Sequence, residues 1–402
     1  MNLVPLRSVV AIDRDQRNWS GRPYVGMENI ESGTGRLVAD DPLLEVKSTT
    51  FGFDNRHVLY GRLRPYLNKV LLPGFEGHCS TEIIPLIPSK AIDRRYLWYW
   101  LTSAQTVDAI DDTCTGARMP RANMDRVLDL LIPLPPIEEQ LRIVAVLDEA
   151  FAAIATATAN AEKNLANAHL IIQSAIDRAF LDVGADHESK SLSALIDVTH
   201  GYAFDGAQFE TSDDQRKPIV LTPGNYTENA DLSFTKKNTK RLICGSERAG
   251  FRLNVGDLTV VMTDLSSRMK ILGRPAFVNA DNILHNQRIG RVVLKSDDVI
   301  LRLIYYYMQT SNALSRIRDT ATGTMVRHTA PKRILSGVIS YPRLREVQSA
   351  LVVRLDAISL ETRTFANQQV AKIAHLAEFK QSLLRSAFAG EYVDRELEAL
   401  AA

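Results

Sequence analysis

The sequence predicts an α+β protein: two homologous globular α/β modules separated by two long antiparallel helices, a coiled-coil spacer, with an internal pseudo-two-fold repeat. Three observations lead there. Between Pro136 and Phe180 a largely apolar stripe advances at steps of three or four, through Ile137, Leu141, Val144, Leu147, Phe151, Ile154, Thr158, Ala161, Leu165, Ala168, Ile172, Ala175 and Ala179, which is the period of a helix and not of a strand. The pattern returns without a gap 208 residues later: Gln140 recurs as Gln348, Leu147 and Asp148 as Leu355 and Asp356, Gln173 and Ser174 as Gln381 and Ser382, Ala179 and Phe180 as Ala387 and Phe388. Finally, 402 residues with 45% apolar side chains are too many for one ordinary core and suffice for two or three. The implied boundaries are 1–135 for the first module, 136–185 for the first helix, 186–342 for the second module, and 343–402 for the second helix and C-terminal tail.

Taken in order, the first module reads as short strands broken by Gly, Pro and Asn. The stretch from His57 to Leu72 alternates as strand, turn and strand, and Arg94 to Ile110 reads as one helix. The double proline Pro135–Pro136 forms a rigid joint into the spacer. There Pro136 suits the first helical position, Glu138 and Glu139 suit the helix dipole, and Gly184 stands just past the end. Such a helix is about 65 Å long and needs a partner. The partner runs from 344 to 388, with Leu351, Leu355, Ile358, Phe365, Ile373, Leu376 and Leu383 expected on the paired face. The second module repeats the first at greater length. LVPLRSVV resembles LSALIDVT from Leu192, YLWYWLTS resembles IYYYMQTS from Ile304, and TGARMPRANMDRVLDLLI resembles TGTMVRHTAPKRILSGVI from Thr322.

Composition narrows the chemistry. A formal net charge of +1 confers no overall attraction to nucleic acid, so any such surface must come from local clusters. Cys79, Cys114 and Cys244 are odd in number and lack metal-ligand spacing, as expected of small residues in a reducing compartment. With no signal-like leader and no apolar run near 18 residues, a soluble, cytoplasmic protein without membrane contact is expected. No dinucleotide fingerprint, phosphate-binding loop or HExxH motif occurs, and the eight histidines are dispersed, so no catalytic residue and no metal site is expected. Asp111 with Asp112, and Asp297 with Asp298, read as loop or helix-start charges.

Basic residues do cluster. In the first module Arg62, Arg64 and Lys69 are interleaved with Tyr66 and Asn68, without an acid between His57 and Val70; Arg22, Tyr24, Arg118 and Arg121 join them as candidates. In the second module the candidates are Lys236, Lys237 and Arg241, then Ser266, Ser267, Arg268 and Lys270, then Asn286, Gln287 and Arg288, and Arg327 with His328. Arg pairs bidentately with guanine edges and Asn with adenine, whereas Tyr and Lys hold phosphate and register. A solvated basic face would share this composition.

The order of module, LIPLPPIEEQLRIVAVLD, long helix, second module and second long helix resembles the specificity subunits of type I restriction-modification systems. YVGMENIESGTG, YGRLRPYLNKV, LLPGFEG, VMTDLSSRMKILGRPAF and LHNQRIGRV are similar to phrases of that family, and the resemblance covers nearly the whole chain. It implies that each module is a target recognition domain reading one half of a bipartite site in double-stranded DNA. It further implies that the helices set the gap and hold two methyltransferase subunits, with restriction and translocase subunits joining through the complex. S-adenosylmethionine, ATP and Mg would belong to those partners and no cofactor to this chain, a non-catalytic subunit. The second joint, YPRLREVQSALVVRLD, departs from the first by lacking the double proline and the EEQ, which implies unequal ends. The competing class is a non-enzymatic structural adaptor with two ligand-binding modules on a helical pair; only the first class predicts sequence-specific, salt-dependent DNA binding.

Overall fold

The computed structural model describes residues 2–16, 21–38, 48–116, 118–212, 214–243 and 248–389; Cys244, Glu247 and the C-terminal tail lie outside them. The chain forms two compact units. One holds residues up to Glu162 together with those from Val370 onward, and the other runs Lys163–Gln369.

In the first unit, alternating apolar runs build a four-stranded antiparallel sheet in the order Val10–Ile12, Ile83–Pro88, Val58–Gly61, Val70–Leu71. A three-stranded sheet sets Gly77–Ser80 between Tyr24–Val25, which it pairs in parallel, and Thr50–Phe53, which it pairs antiparallel. Leu3–Pro5 pairs with Leu131–Pro133 and closes the module at the foot of the long helix. The helix expected from Arg94 to Ile110 is two helices, Arg94–Thr102 and Ala104–Asp111. Ser103 divides them: its backbone is extended and its hydroxyl caps the second helix by accepting from the Thr106 N–H. Leu59, Leu86, Tyr96, Leu97 and Leu101 are fully buried in this core.

The second unit repeats this plan. Its four-stranded sheet runs Ile196–His200, Ile289–Leu294, Leu258–Val261, Pro275–Phe277, and Ile283–His285 again lies between a parallel neighbour, Ile219–Leu221, and an antiparallel one, Arg252–Leu253. The extra length appears as Arg241–Leu242 and Phe209–Glu210, added at the edge of that sheet. Backbone hydrogen bonds also correct the register of the repeat. Leu6 N–H donates to Leu130 and Leu192 N–H to Gly337, so Leu192 corresponds to Leu6, three residues beyond the Leu3 match expected from sequence. Ser103 and Thr310 cap equivalent helices, one residue from the expected pairing of Ser103 with Ser311. Short apolar runs match at several offsets, and the strand ladders decide among them.

The long helices are Ile137–Leu181 and Arg345–Ala389, 45 residues each and about 68 Å long. In the first unit Ile143, Val144, Leu147 and Phe151 share a core with Leu383, Leu384, Ala387 and Phe388. In the second, Ile172, Ile176, Ala179 and Phe180 share one with Leu351, Val352 and Leu355. Each unit thus joins the start of one helix to the end of the other, the antiparallel order. Leu141 and Phe365, expected on the paired face, are instead 50% and 39% exposed. The buried face runs through Gln140, Val144 and Leu147, and Leu141 is turned about 100° away from Gln140 at 3.6 residues per turn. Ile154, Leu165, Ile358, Ile373 and Leu376 are half-buried.

The repeated polar residues explain themselves. Gln140 is fully buried; its amide oxygen accepts from the Asp93 N–H at 2.8 Å, and its NH2 donates to the carbonyls of Ala91 at 3.0 Å and Pro135 at 2.8 Å. Gln348 does the same with Ile300, Asp298 and Pro342, at 3.1, 2.7 and 2.8 Å. Two turns further along, Asp148 receives Arg95 and the Tyr99 hydroxyl, and Asp356 receives Arg302 and the Tyr306 hydroxyl. The start of each helix is therefore fastened to the module that precedes it.

Candidate nucleic-acid interface

In the first unit the strands Val58–Gly61 and Val70–Leu71 are joined by a loop containing the 3-10 turn Pro65–Leu67. Arg64 and Asn68 flank that turn in the left-handed region, at φ 52° and 48°, a conformation that costs an L-residue roughly 1–2 kcal/mol. Fixed contacts hold it there. Arg64 N–H donates to the Pro120 carbonyl at 2.8 Å, the Asn68 side-chain NH2 to the Thr102 carbonyl at 2.9 Å, and Gly33 N–H to the Asn68 carbonyl at 2.9 Å. The Lys69 ammonium donates to the Met27 carbonyl at 2.7 Å. The loop therefore presents Arg64 and Tyr66 to solvent from a rigid base, Tyr66 being 53% exposed.

Three segments converge beside this loop. Arg62 N–H donates to the Glu82 carbonyl and Ala122 N–H to the Arg62 carbonyl, while Leu63 and Thr115 both bridge to Arg121. Glu82, in the turn between Gly77–Ser80 and Ile83–Pro88, consequently faces two guanidiniums. It accepts from Arg62 Nε at 3.2 Å, and from Arg121 Nε and Nη2 at 2.9 and 2.7 Å. The hydrogen bonds from Arg121, ahead of the field of Arg62, hold the Glu82 carboxyl below its usual range. Ser80 accepts from the Glu82 N–H at 3.3 Å, and half-buried Tyr24 packs against His78. Arg118 is exposed nearby in sequence, and exposed Arg22 pairs with Glu76 at 3.3 Å, away from the Glu82 group in its bonding.

The second unit has the same hydrogen-bond frame with other side chains in it. Met262 N–H donates to the Arg288 carbonyl, Thr329 N–H to the Met262 carbonyl, and both Thr263 and Thr322 pair with His328. Met262, Arg288 and His328 thus stand where the first unit has Arg62, Glu82 and Arg121. The neighbouring loop exposes Leu265, Ser266, Ser267 and Arg268; Asp264 fixes it by accepting from the N–H groups of Ser266 at 2.8 Å and Ile271 at 3.0 Å. Lys270 pairs with Glu228 at 2.7 Å, and the His328 ring meets the Thr263 hydroxyl at 3.0 Å. Gln287 and Arg288 are exposed, whereas Asn286 is buried and accepts from the Arg288 N–H at 3.0 Å, so it shapes the turn rather than presenting an amide. Arg327 pairs in backbone with Asp264 and is half-buried.

Lys236 and Lys237 are exposed on a turn capped by Asn238, and Arg241 lies on the five-stranded sheet. Its guanidinium donates to the carbonyls of Ser212 at 3.1 Å and Lys217 at 2.6 Å, which commits it to internal bonding. Sequence reasoning did not single out Glu82 or Ser80. The repeat could have shown them, because CSTE at 79–82 occupies the place of HNQR at 285–288.

Residues 11–165 match the family described as type I restriction modification DNA specificity domain. A relative named type I restriction enzyme EcoDI specificity subunit, from Escherichia coli, is 28% identical over 159 residues, 39% of this chain and 35% of that protein. The MjaVIII specificity subunit of Methanocaldococcus jannaschii is 21% identical over 326 residues, 74% of this chain and 72% of that one. The chain is similar to type I specificity subunits. Its fold is shared along nearly the whole chain with solved structures. A chain described under complex assembly and conformational transition of the type I R-M system superposes with a TM-score of 0.77 at 19% identity, covering 96% of this chain and 97% of the other. The HsdS subunit from Thermoanaerobacter tengcongensis gives 0.58 at 20% identity, covering 97% of each. No described helix of the chain is long and apolar enough to cross a membrane.

Proposed function

We propose that this specificity subunit reads a bipartite site in double-stranded DNA, each module taking one half-site and the two long helices setting the gap. The observation that carries the proposal is the repeated frame with different contents: Arg62, Glu82 and Arg121 in one module, Met262, Arg288 and His328 in the other. A rigid scaffold that varies only its loop-end side chains suits two different recognition events.

In this reading Arg64, Tyr66 and Arg118 of the first module, and Ser267, Arg268 and Gln287 of the second, contact base edges and phosphates. Two methyltransferase subunits dock on the helices, where Ile137, Leu141, Leu344 and Val347 leave apolar surface exposed near the helix starts. Restriction and translocase subunits join through the complex. The chain itself transfers no methyl group and cuts no DNA; S-adenosylmethionine, ATP and Mg serve the partners, and the complex works in the cytoplasm. The test is binding of the chain with its methyltransferase to duplex DNA. The proposal predicts tight binding to one sequence class, with log affinity falling linearly with log salt. Equal affinity for all sequences would overturn it.

A further inference from the structure

We propose that Glu82 is the positioning residue through which the first module reads a guanine, by holding Arg62 as a two-pronged donor. The inference rests on the reading of that module as a half-site reader and adds to it a base, a donor and the residue that aims the donor.

The geometry separates the jobs of the three side chains. Arg121 turns Nε and Nη2 onto Glu82 and Nη1 toward the Met119 carbonyl at 3.4 Å, so each of its three nitrogens already has a partner inside the protein. Arg62 gives Glu82 only Nε, and among the described residues its two terminal nitrogens carry no protein partner. Its side chain is one-third exposed, and it leaves the end of a buried strand whose residues Val58, Leu59 and Tyr60 fix the Cα position. A guanidinium tethered at Nε keeps two parallel N–H groups facing outward, the pattern that matches O6 and N7 of guanine in the major groove. A free arginine would pay side-chain entropy for that orientation, and the Glu82 tether removes much of this cost in advance. Arg121 serves as the lock, since without a second cation Glu82 could swing from Arg62 or draw it inward.

The other module supplies an internal comparison. The place of Arg62 is taken there by buried Met262, and the place of Glu82 by exposed Arg288. This position therefore cannot present the same fork, and the guanine belongs to the half-site of the first module alone.

The experiment maps methylated sequences, and binding to duplexes carrying each of the four bases at every half-site position, for complexes with wild-type chain, Arg62→Lys, Glu82→Gln and Glu82→Asp. Arg62→Lys keeps the charge but loses the fork. The expected result is that Arg62→Lys and Glu82→Gln both relax one and the same guanine position of one half-site, by about tenfold or more, while Glu82→Asp restores part of the preference. Discrimination in the other half-site stays intact and reports that the variants fold. Glu82→Gln leaving every position as selective as wild type, Glu82→Gln relaxing a position other than the one relaxed by Arg62→Lys, or a half-site without guanine would overturn the inference. A wild-type complex lacking any sequence preference would instead overturn the reading beneath it.

Discussion

Replacing Gln140 by Leu keeps side-chain volume but removes the amide that fastens the first long helix to its module. Three backbone groups lose their partner: the buried Pro135 carbonyl and the part-buried Asp93 N–H and Ala91 carbonyl. An orphaned buried group costs about 1–3 kcal/mol and the two part-buried ones less because water reaches them, so the first unit should lose about 3–5 kcal/mol. With a urea slope of about 2 kcal/mol per molar, the unfolding midpoint should fall by about 2 M. Tryptophan fluorescence isolates the effect, because Trp98 and Trp100 belong to the first unit and residues 163–369 contain no tryptophan. Gln348→Leu should move that signal far less, while lowering the circular-dichroism transition of the second unit. A midpoint change below about 0.5 M for Gln140→Leu would show that the amide is not the fastening described.

Two further outcomes follow from the same geometry. Four residues added near Ala159 and again near Asn367 lengthen each helix by about 6 Å, so the gap in the methylated site should grow by one or two base pairs at about 3.4 Å each, with the half-sites unchanged; methylation mapping that finds the old gap at full activity would exclude a ruler. His285 is buried, its ring at 2.8 Å from the Ile289 carbonyl, and burial pushes its pKa below 6.5 despite that hydrogen bond. The unfolded chain therefore takes up the proton first as pH falls, so stability of the second unit should decline below about pH 6.5; denaturation midpoints from pH 8 to 5 should fall less steeply in His285→Gln, and identical slopes would contradict the assignment.

The helical spacer was legible because periodicity and a gapless repeat are local properties of the sequence. The jobs of its residues were less so. Gln140 and Gln348 stood out as identities, yet an apolar stripe passes over a glutamine, and Leu141 was assigned the buried place that belongs to Gln140. The Arg62–Lys69 loop was visible from its charge and aromatic interleaving, but its geometry depends on Pro120, Thr102 and Gly33, residues brought in by the sheet. Glu82 was hidden for the same reason: it joins arginines 20 positions before it and 39 after it, and a search for basic clusters discards an acid. Burial of Asn286 and the internal bonding of Arg241 likewise follow from strand pairing, which composition does not specify.

The central claim, one module for each half-site, is tested most directly by methylation mapping of two double variants beside the wild type. Arg62→Ala with Arg64→Ala should degrade recognition of one half-site, and Ser267→Ala with Arg268→Ala should degrade the other, each leaving its opposite half as selective as before. If both double variants degraded the same half-site, or neither altered the sequence methylated, the assignment of one reading surface to each module would be wrong.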